Sequence, residues 1–333
     1  MPPLSPQPIM EAMTAYQRTA ALKAAIALDL FSHAREGADA AELAASCGAA
    51  ERGIRILCDT LTVHGFLAKD GAGRYAPSPE SAAFLDRASP TYLGGIADFL
   101  AAPELTDKFL RDPAAFVRKG GAVATDSTVS PDNPVWVAFA RGMAGLMAMP
   151  AEVFAEHLMR GGAPRRILDI AAGHGLFGIA LARRAPEAEL VALDWAKVVE
   201  VAAENAAKAG IAGRFRSIAG SAFEAEFGGP YDLVLLTNFL HHFDPDTCVR
   251  LLEKCRAALG PGGRVAALEF VPEADRVSPP MPATFAFVML ASTPAGDAYT
   301  RAELEAMYRR AGFARVEFAR LPPTEQAAIV GTA

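Results

Sequence analysis

The chain has 333 residues, more than one hydrophobic core usually serves, so two domains are expected. Hydrophobic residues make up 52% of it and charged residues 21%, an ordinary balance for a globular protein. The formal net charge of −6 argues against a nucleic acid or an anionic membrane as a general partner, because both require a positive surface.

The first predicted elements are helices. Residues 9–32 are mostly apolar and helical in pattern, and a helix with so little polar surface should be buried, with a second subunit as one candidate cover. Asp39 and Glu42 then have the spacing of a capping box and predict a short helix that ends near Gly48. A second amphipathic helix follows over residues 51–64.

Residues 65–78 predict a small hairpin, because Asp70-Gly71 marks a turn between two short strand-like runs. Two helices and a hairpin form the winged-helix pattern, whose usual role is DNA binding. Residues 1–100, however, contain 8 Lys and Arg against 11 Asp and Glu, whereas DNA contact needs uncompensated cations. We therefore interpret residues 1–105 as a helical, winged-helix-like dimerisation domain, and a non-catalytic regulator that senses a metabolite is the alternative.

Residues 106–333 form the second predicted domain, in which residues 106–160 are connecting helices with a break at residues 130–135. Large apolar side chains recur there near helical spacing: Trp136, Phe139, Met143 and Met147. Two interpretations stay open, namely plain core packing and one wall of a substrate pocket, where methionine side chains can adapt to a ring.

From Arg166 onward, strand-like and helix-like segments alternate, which predicts a parallel sheet with helices on both faces. The predicted strands are RILDI, ELVALD, FRSIA, YDLVLLTN and GRVAALEFV. The last two segments, VEFARL and QAAIVGT, are joined by a turn too short for a crossover and should pair antiparallel. The predicted fold class is α/β, a Rossmann-like parallel sheet that ends in an antiparallel hairpin.

The loop after the first of these strands holds a G-x-G-x-x-G string: Gly173, Gly175 and Gly178. Together with Asp194 at the end of the next strand, the string is compatible with NAD and with S-adenosylmethionine. Asp169 favours the second ligand, because a carboxylate at that strand end would repel a pyrophosphate but attract the cationic methionine portion. The turn at residues 259–263 and the C-terminal hairpin favour it as well. NAD-dependent oxidoreduction remains an alternative.

With these motifs, residues 10–333 resemble the metal-independent small-molecule O-methyltransferases, a group that includes plant caffeate-type, hydroxyindole and many bacterial natural-product enzymes. The resemblance rests on the helical and winged N-terminal pattern and on the segments LDIAAGHG, ALDW, GSAF, LTNFLHHFDPDTC and GRVAALEF. It implies S-adenosylmethionine as the methyl donor, no metal ion, and a homodimer formed through the N-terminal domain.

Motif matching and the charge argument together assign the cofactor-binding residues: Asp169, Gly173, Gly175, Asp194, Trp195, Ser221, Ala222, Phe223 and Asn238. Asp194 is expected on the ribose, and the segment at residues 220–223 is expected to border the adenine. The chain departs from the family pattern at two positions. Ala171 stands for the first glycine of the common D-x-G-x-G-x-G loop, and Ser221 stands where many members have Asp.

The resemblance also assigns the catalytic residues. His241, just after the fourth strand, matches the catalytic histidine of the family, and Glu269, at the end of the fifth, matches a carboxylate that orients it. A phenol has a pKa near 10, so its methylation benefits from such a base. His242 is the alternative base. A second family carboxylate is missing in register, because Ala298 occupies its place and Asp297 is adjacent.

The acceptor is expected to be a small aromatic molecule with a phenolic hydroxyl, and methyl transfer to carbon, nitrogen or sulfur is the alternative. This follows from the family position and apolar character of the predicted pocket residues: Phe139, Met143, Met147, Phe285, Phe287 and Met289. The acidic and amide ligand cluster of the magnesium-dependent methyltransferases is not evident, so no metal is predicted.

Four cysteines are scattered without a C-x-x-C pair, which indicates reduced thiols instead of disulfides or a zinc site. The N-terminal segment lacks the basic and apolar regions of a signal peptide, and no uninterrupted apolar run reaches membrane-spanning length. We therefore expect a cytoplasmic enzyme without a membrane or nucleic-acid partner.

Overall fold

The computed structural model describes residues 4–123 and 135–333, and for Val135 it describes the backbone only. The chain folds into two compact units, Met1–Leu105 and Thr106–Ala333. The predicted break at residues 130–135 falls almost entirely on residues outside the described part of the chain.

The first unit is helical with one small hairpin. Its helices are α1 (Gln7–Ala27), α2 (Leu30–His33), α3 (Ala40–Cys47), α4 (Glu51–Val63), α5 (Pro79–Leu85) and α6 (Ala97–Leu100). Strands β1 (Leu67–Lys69) and β2 (Tyr75–Pro77) pair antiparallel. The Asp39 side chain accepts from the backbone of α3 while Glu42 reaches back to the cap, so the predicted capping box is present. The helical N-terminal domain is thus confirmed, and its likeness to a winged helix stays a prediction.

The first helix differs from its prediction in length and burial. The sequence pattern predicts a single helix over residues 9–32, but α1 ends at Ala27 and the chain passes through Asp29, whose φ of 52° is left-handed, before α2 begins. Within the chain only Ala25 of α1 is buried. Met13 is 71% exposed and Ile9 68%. The expected burial of this helix is therefore not achieved inside one chain.

The second unit is built on a seven-stranded sheet. Its strands are β3 (Arg166–Ile170), β4 (Glu189–Asp194), β5 (Phe215–Ala219), β6 (Tyr231–Thr237), β7 (Leu259–Glu269), β8 (Arg315–Arg320) and β9 (Ala327–Thr332). Its helices are α7 (Pro103–Leu110), which begins at the boundary, α8 (Pro113–Lys119), α9 (Val135–Met159), α10 (Leu176–Arg184), α11 (Ala196–Lys208), α12 (Pro245–Ala257), α13 (Pro280–Ser292) and α14 (Arg301–Arg310).

The strand order is β5-β4-β3-β6-β7-β9-β8. The first five strands of this order are parallel, and β9 pairs antiparallel with both β7 and β8. The predicted α/β class and the C-terminal hairpin are confirmed. The order reverses between β3 and β6, and open sheets of this type form a ligand crevice at the carboxyl ends of the strands where the order reverses.

Side-chain alternation along the strands creates two cores. Val234 and Leu236 of β6 pack on the side of α12 and α14, whereas Leu233 and Leu235 pack on the side of α9 and α10. Because both faces of each central strand are covered, the strands are almost continuously apolar. The polar residues that remain are therefore concentrated at the strand ends.

Helix α9 is long and apolar enough to cross a membrane by length and composition alone. Its charged side chains argue for a core helix instead: Arg141 pairs with Glu204 of α11, and Glu152 pairs with Arg183 and Arg184 of α10. Other side chains of α9 lie in the core beneath the sheet. A cytoplasmic location stays a prediction.

Helix α13 is not predicted by the sequence pattern. Its segment, PMPATFAFVMLAS, contains two prolines and shows no polar face, so the usual helical periodicity is absent. Pro280 occupies the first helical position, where its missing N–H is not needed. The sequence also predicts a turn at residues 259–263, but Leu259 already pairs with Tyr231 and the following residues bulge out of the ladder before Arg264.

Candidate active site

The predicted site residues cluster at the carboxyl edge of the sheet. The glycine loop follows β3, Asp194 ends β4, the turn at residues 238–242 follows β6, and Glu269 ends β7. Because these strands are parallel neighbours, their ends lie along one edge, on both sides of the point where the strand order reverses. The crevice expected at that point is therefore lined by residues that are distant in sequence.

Asp194 organises the glycine loop. One carboxylate oxygen accepts from the Gly173 amide at 2.8 Å and the other from the Trp195 amide at 2.7 Å. Each oxygen can accept a second hydrogen bond, so the carboxylate retains capacity for hydroxyl donors. Burial raises the pKa of Asp194 to about 6.

The loop requires an unusual backbone. Gly175 has a φ of 73°, and a Cβ there would lie 2.9 Å from the Cβ of Ala202, so the loop packs closely on α11. Ala171, which replaces a family glycine, is also left-handed, with a φ of 52°. The loop therefore keeps its glycine-type conformation at a position that has lost its glycine.

Asp169 lies beneath the loop and is fully buried. One of its oxygens accepts from the Gly178 amide at 3.0 Å, and the other has no hydrogen-bond partner among the described residues. Burial raises the pKa of Asp169 to about 8. The carboxylate supports the start of α10 and presents no exposed surface, so a direct contact with a ligand stays a prediction.

His174 is fixed within the same loop. Its Nδ1 accepts from the Leu176 amide at 3.1 Å, and its carbonyl accepts from Asn205 at 2.9 Å. Burial lowers the pKa of His174 to about 4, so the ring is neutral. These contacts shape the loop and leave the ring unsuited to accept a proton near neutral pH.

The segment expected to border adenine forms a tight turn after β5. The Ser221 hydroxyl accepts from the Phe223 amide at 3.2 Å, and Lys254 donates to three carbonyls of this turn, including that of Ala222. Ala222 is buried, whereas Phe223 is 38% exposed and contacts the ring of Phe243 edge to face. An exposed aromatic side chain at this edge can pack against a flat ligand.

His241 and Glu269 form a buried pair. His241 Nδ1 lies 2.5 Å from one Glu269 oxygen, and the other oxygen accepts from the amides of Phe239 and Leu240 at 3.0 and 2.8 Å. His241 is 5% exposed and Glu269 3%. An ionised carboxylate only accepts hydrogen bonds, so the imidazole proton lies on Nδ1 and Nε2 carries a free lone pair.

His242 stacks on His241, with ring centroids 4.4 Å apart. Its other aromatic neighbours include Trp136 at 5.9 Å. No partner among the described residues binds its Nδ1. Burial and the adjacent His241 lower the pKa of His242 well below its usual value. Unlike His241, this ring lacks a carboxylate that would stabilise its protonated form.

Asp297 supports His241 through its backbone and not through its side chain. Its amide donates to the His241 carbonyl at 3.0 Å, whereas its carboxylate pairs with Arg276 and accepts from the Ala298 amide. Gly296 lies so close to this turn that a Cβ would be 2.2 Å from the His241 carbonyl oxygen. The described geometry therefore offers His241 one carboxylate, Glu269.

The apolar stripe of α9 divides between the site and the core. Trp136 and Phe139 contact each other at 5.6 Å, and Trp136 also reaches His242. Met147, in contrast, is 7% exposed and lies within the core beside α10, and Met143 packs against that core. The first turn of the helix is thus near the site, whereas the geometry gives no support for Met147 as a pocket residue.

The predicted pocket residues of α13 also have different surroundings. Phe285 contacts His241 edge to face at 4.9 Å and Phe270 at 4.6 Å. Phe287 is two residues further along the helix and faces Phe116 at 5.2 Å, because two helical positions differ by about 200°. Met289 is buried. Phe285 is therefore the α13 residue that the structure brings to the histidine pair.

Sequence reasoning missed Gln326. It precedes β9, is 2% exposed, and donates through Nε2 to the Asn238 side-chain oxygen. Asn238 follows β6 with a left-handed φ of 54°, and its amide donates to the Leu268 carbonyl at 2.8 Å. The sequence contains one indication of this contact: a single amide side chain at the start of the apolar run AAIV, where a buried polar group needs a hydrogen-bond partner.

Comparisons with known proteins define the family. An O-methyltransferase domain profile matches residues 104–314, and an O-methyltransferase dimerisation domain profile matches residues 10–87. The chain belongs to the O-methyltransferase family. The predicted family and the predicted methyltransferase activity are thereby confirmed, and the oxidoreductase alternative is not supported.

Relatives cover nearly the whole length of this O-methyltransferase. It is 30% identical to the 3-hydroxy-5-methyl-1-naphthoate 3-O-methyltransferase of Streptomyces sahachiroi, with 95% of this chain and 91% of that enzyme covered. A crystal structure from Nostoc punctiforme PCC 73102, assigned as an O-methyltransferase, is 47% identical with a TM-score of 0.96 and covers 99% of this chain and 100% of its own. PigF from Serratia is described as an S-adenosyl-L-methionine-dependent methyl transferase, and its structure was solved with S-adenosylhomocysteine. That structure is 25% identical to this chain with a TM-score of 0.88, and 99% of this chain and 100% of that chain are covered.

Proposed function

We propose that this O-methyltransferase transfers the methyl group of S-adenosylmethionine to a phenolic hydroxyl of a small aromatic molecule, with His241 as the general base and Glu269 as its orienting partner. The observation that carries the proposal is the buried His241–Glu269 pair, at 2.5 Å, beside the crevice at the carboxyl edge of the sheet. This geometry leaves Nε2 of His241 as the nitrogen that accepts a proton.

Glu269 supplies two things to this base. It holds the proton on Nδ1, so the lone pair of Nε2 stays available, and it stabilises the imidazolium that forms when a phenol is deprotonated. Three hydrogen bonds hold the carboxylate, and two of them come from rigid backbone amides. His242 has no comparable partner, and its lowered pKa makes it the weaker base. His241 is therefore the preferred base.

The donor site fits S-adenosylmethionine at several described residues. When bound, this compound supplies an electrophilic methyl group on a sulfonium. Asp194 would bind the ribose hydroxyls, and Gly173 and Gly175 would allow close approach of the ligand to the backbone. Phe223 would cover the adenine ring, and Ser221 shapes its turn. Asp169 lies beneath the loop, where its carboxyl oxygen accepts from the Gly178 amide and supports the loop conformation.

The remaining assigned donor residues have less direct support. Trp195 occupies the N-cap position of α11 and its amide donates to Asp194, and Ala222 is buried in the turn beside Phe223. Asn238 has its side-chain oxygen engaged by Gln326, so only its amide donors remain for the methionine carboxylate. Among residues 4–123 and 135–333, no group of three or more His, Cys, Asp or Glu is arranged to hold a metal, and a metal-independent reaction stays part of the proposal.

The acceptor class follows from aromatic side chains at the pair. Phe285 lies edge to face on His241, and Trp136 lies near His242 and contacts Phe139. Such surfaces favour a flat ring and exclude water, which strengthens hydrogen bonds within the site. The relative from Streptomyces sahachiroi is named for a hydroxylated naphthoate, and another relative for acetylserotonin. Both names describe aromatic compounds.

His241→Ala tests the proposal. Removal of the base should lower kcat for a phenolic acceptor by roughly 100-fold or more, because general base catalysis contributes about that much. The affinity for S-adenosylhomocysteine should stay near the wild-type value, because His241 faces the acceptor. Turnover is measured with labelled S-adenosylmethionine against a panel of phenols, and affinity by calorimetry. Wild-type turnover in the variant would refute His241 as the base, and acceptance of amines or thiols alone would refute the phenol.

We also propose that the enzyme is a homodimer formed through its first unit. The matched dimerisation domain covers residues 10–87 and includes most of α1. Large apolar side chains of α1 are exposed in the single chain: Ile9, Met10, Met13 and Tyr16. A second copy that covers this face would remove the exposed apolar surface from water.

A further inference from the structure

Gln326 is a buried amide in apolar surroundings. The four residues that follow it in β9 are all buried and apolar, and Ala327 pairs directly with Glu269 across the β7–β9 ladder. A methionine or leucine would fill such a position without any polar group to satisfy. The glutamine therefore carries a cost of burial that packing alone does not explain.

The hydrogen bonds of Gln326 are only partly satisfied. Its Nε2 donates to the side-chain oxygen of Asn238, whereas no described residue pairs with its Oε1. A half-satisfied buried amide is unfavourable for stability, and such groups in native proteins often serve a function. Among the described residues, the hydrogen bond of the Gln326 side chain goes to Asn238.

Asn238 begins the turn that carries the histidine. Its left-handed backbone redirects the chain at the end of β6, and the next two amides, of Phe239 and Leu240, are those that bind Glu269. His241 follows immediately. A rotation of the backbone at Asn238 would therefore move both the two amides that donate to Glu269 and the His241 ring that pairs with it.

We propose that Gln326 is a positioning residue that locks Asn238 and thereby holds the turn at residues 238–241 in register with Glu269. The C-terminal hairpin thus takes part in setting the tautomer of His241, although none of its residues contacts the histidine in the hydrogen bonds described above. This inference rests on the proposed role of His241 as base.

Gln326→Met provides the test, because methionine keeps the length of the side chain, suits its apolar neighbours and removes the donor. We expect kcat to fall about tenfold, the usual lower range for loss of a group that orients a catalytic one. In the ¹⁵N spectrum of histidine-labelled enzyme with S-adenosylhomocysteine, His241 should change from a single Nδ1–H tautomer to a mixture. Thr324→Val is the control, because Thr324 bonds the Leu321 carbonyl and the Gln326 backbone amide and makes no described hydrogen bond to Asn238 or to the Gln326 side chain.

Equal tautomer populations and equal kcat in wild type and Gln326→Met would overturn the proposal, as would an equal loss in Thr324→Val, which would show a general effect of the hairpin. If Gln326→Met does not fold, Asn238→Gly removes the acceptor, tolerates the positive φ and should give the same mixed tautomer. If the proposed function itself is wrong, these experiments give a different result. His241→Ala would then keep its turnover, while the spectrum would still report whether Gln326 sets the tautomer.

Discussion

Three buried carboxylates, Asp194, Asp169 and Glu269, lie near the carboxyl ends of β4, β3 and β7, yet their hydrogen bonding differs. Glu269 accepts three hydrogen bonds, Asp194 accepts two, and Asp169 accepts one and leaves an oxygen without a described partner. The fewer donors a buried carboxylate has, the less its charged form is stabilised. Burial accordingly raises the pKa of Asp194 to about 6 and that of Asp169 to about 8.

Glu269→Gln should show whether the carboxylate sets the tautomer. The amide oxygen of glutamine can still accept from Phe239 and Leu240, but its NH₂ group would face His241 Nδ1 and shift the ring proton to Nε2. We expect kcat to fall roughly 100-fold, within the range for loss of a general base. Glu273→Gln, at an exposed ion pair with Arg320, is the control. Near-normal turnover in Glu269→Gln, measured with a phenolic acceptor, would contradict the assignment.

Asp169→Asn should change the pH dependence of stability. Because burial raises the pKa of Asp169 to about 8, the folded state retains a proton that the unfolded state releases. The contribution of Asp169 to the free energy of unfolding of the wild type therefore falls as pH rises from about 4 to about 8. The variant lacks this proton, so its free energy of unfolding should fall less, by on the order of a few kcal/mol over that window.

This comparison has a convenient probe and a control. The two tryptophans of the chain, Trp136 and Trp195, both lie in the second unit, so urea unfolding followed by their fluorescence reports on it. Hydrogen bonds from Thr247 lower the pKa of Asp244, so Asp244→Asn should have the opposite effect, at lower pH. If the free energy of unfolding changes with pH in the same way in wild type and in Asp169→Asn, Asp169 does not carry the proton.

At the scale of elements, three apolar helices have different environments. Helix α9 packs one face against α10 and the sheet, α13 has one aromatic side chain at His241 and another on α8, and α1 leaves large apolar side chains exposed. Apolar composition alone does not distinguish these cases, because it reports that a surface must be covered and not which surface covers it.

Charged substitutions on α1 test the proposed dimer. Met10→Lys combined with Met13→Lys should convert the dimer to a monomer at micromolar concentration, because burial of each methionine is worth roughly 1.5–3 kcal/mol and a buried unpaired lysine is unfavourable. Light scattering during size-exclusion chromatography measures the mass. Ala15→Lys, on the opposite side of the helix from Met13, should remain dimeric. A dimer that tolerates the double substitution would place the interface elsewhere.

At the scale of the whole molecule, the position of the cofactor crevice follows from strand order. The order reverses between β3 and β6, so the loops after these strands separate and leave room for a ligand. The glycine loop lies on one side of this point and the His241 turn on the other. The same sheet thus provides the donor site and the proposed base.

Calorimetric melting should identify the ligand of this crevice. A ligand at 100 times its Kd stabilises the folded state by about 2.7 kcal/mol, so S-adenosylhomocysteine should raise the Tm of the second unit clearly. NADH at the same concentration should leave the Tm unchanged, because the chain belongs to the O-methyltransferase family. Stabilisation by NADH alone would contradict the proposed donor site.

Much of the fold could be predicted from the sequence because its signals are local. The strand ends that carry Asp169, Asp194 and Glu269 were visible as acids that close apolar runs, and the capping box at Asp39 was visible from spacing alone. Helix α13 escaped prediction because it lacks a polar face and opens with prolines, so neither periodicity nor composition indicated a helix.

By itself, the sequence determined the alternation of strands and helices and the residues at the strand ends, because these depend on side-chain periodicity and on motifs. The pairing of His241 with Glu269 was implied by the resemblance to the O-methyltransferases. The tertiary structure decided which side chains meet. It separated Phe285 from Phe287 and Met147 from Trp136, directed Asp297 to Arg276, and brought Gln326 to Asn238. The contact between Gln326 and Asn238 joins residues 88 positions apart, and such contacts depend on backbone geometry and packing that no local pattern records.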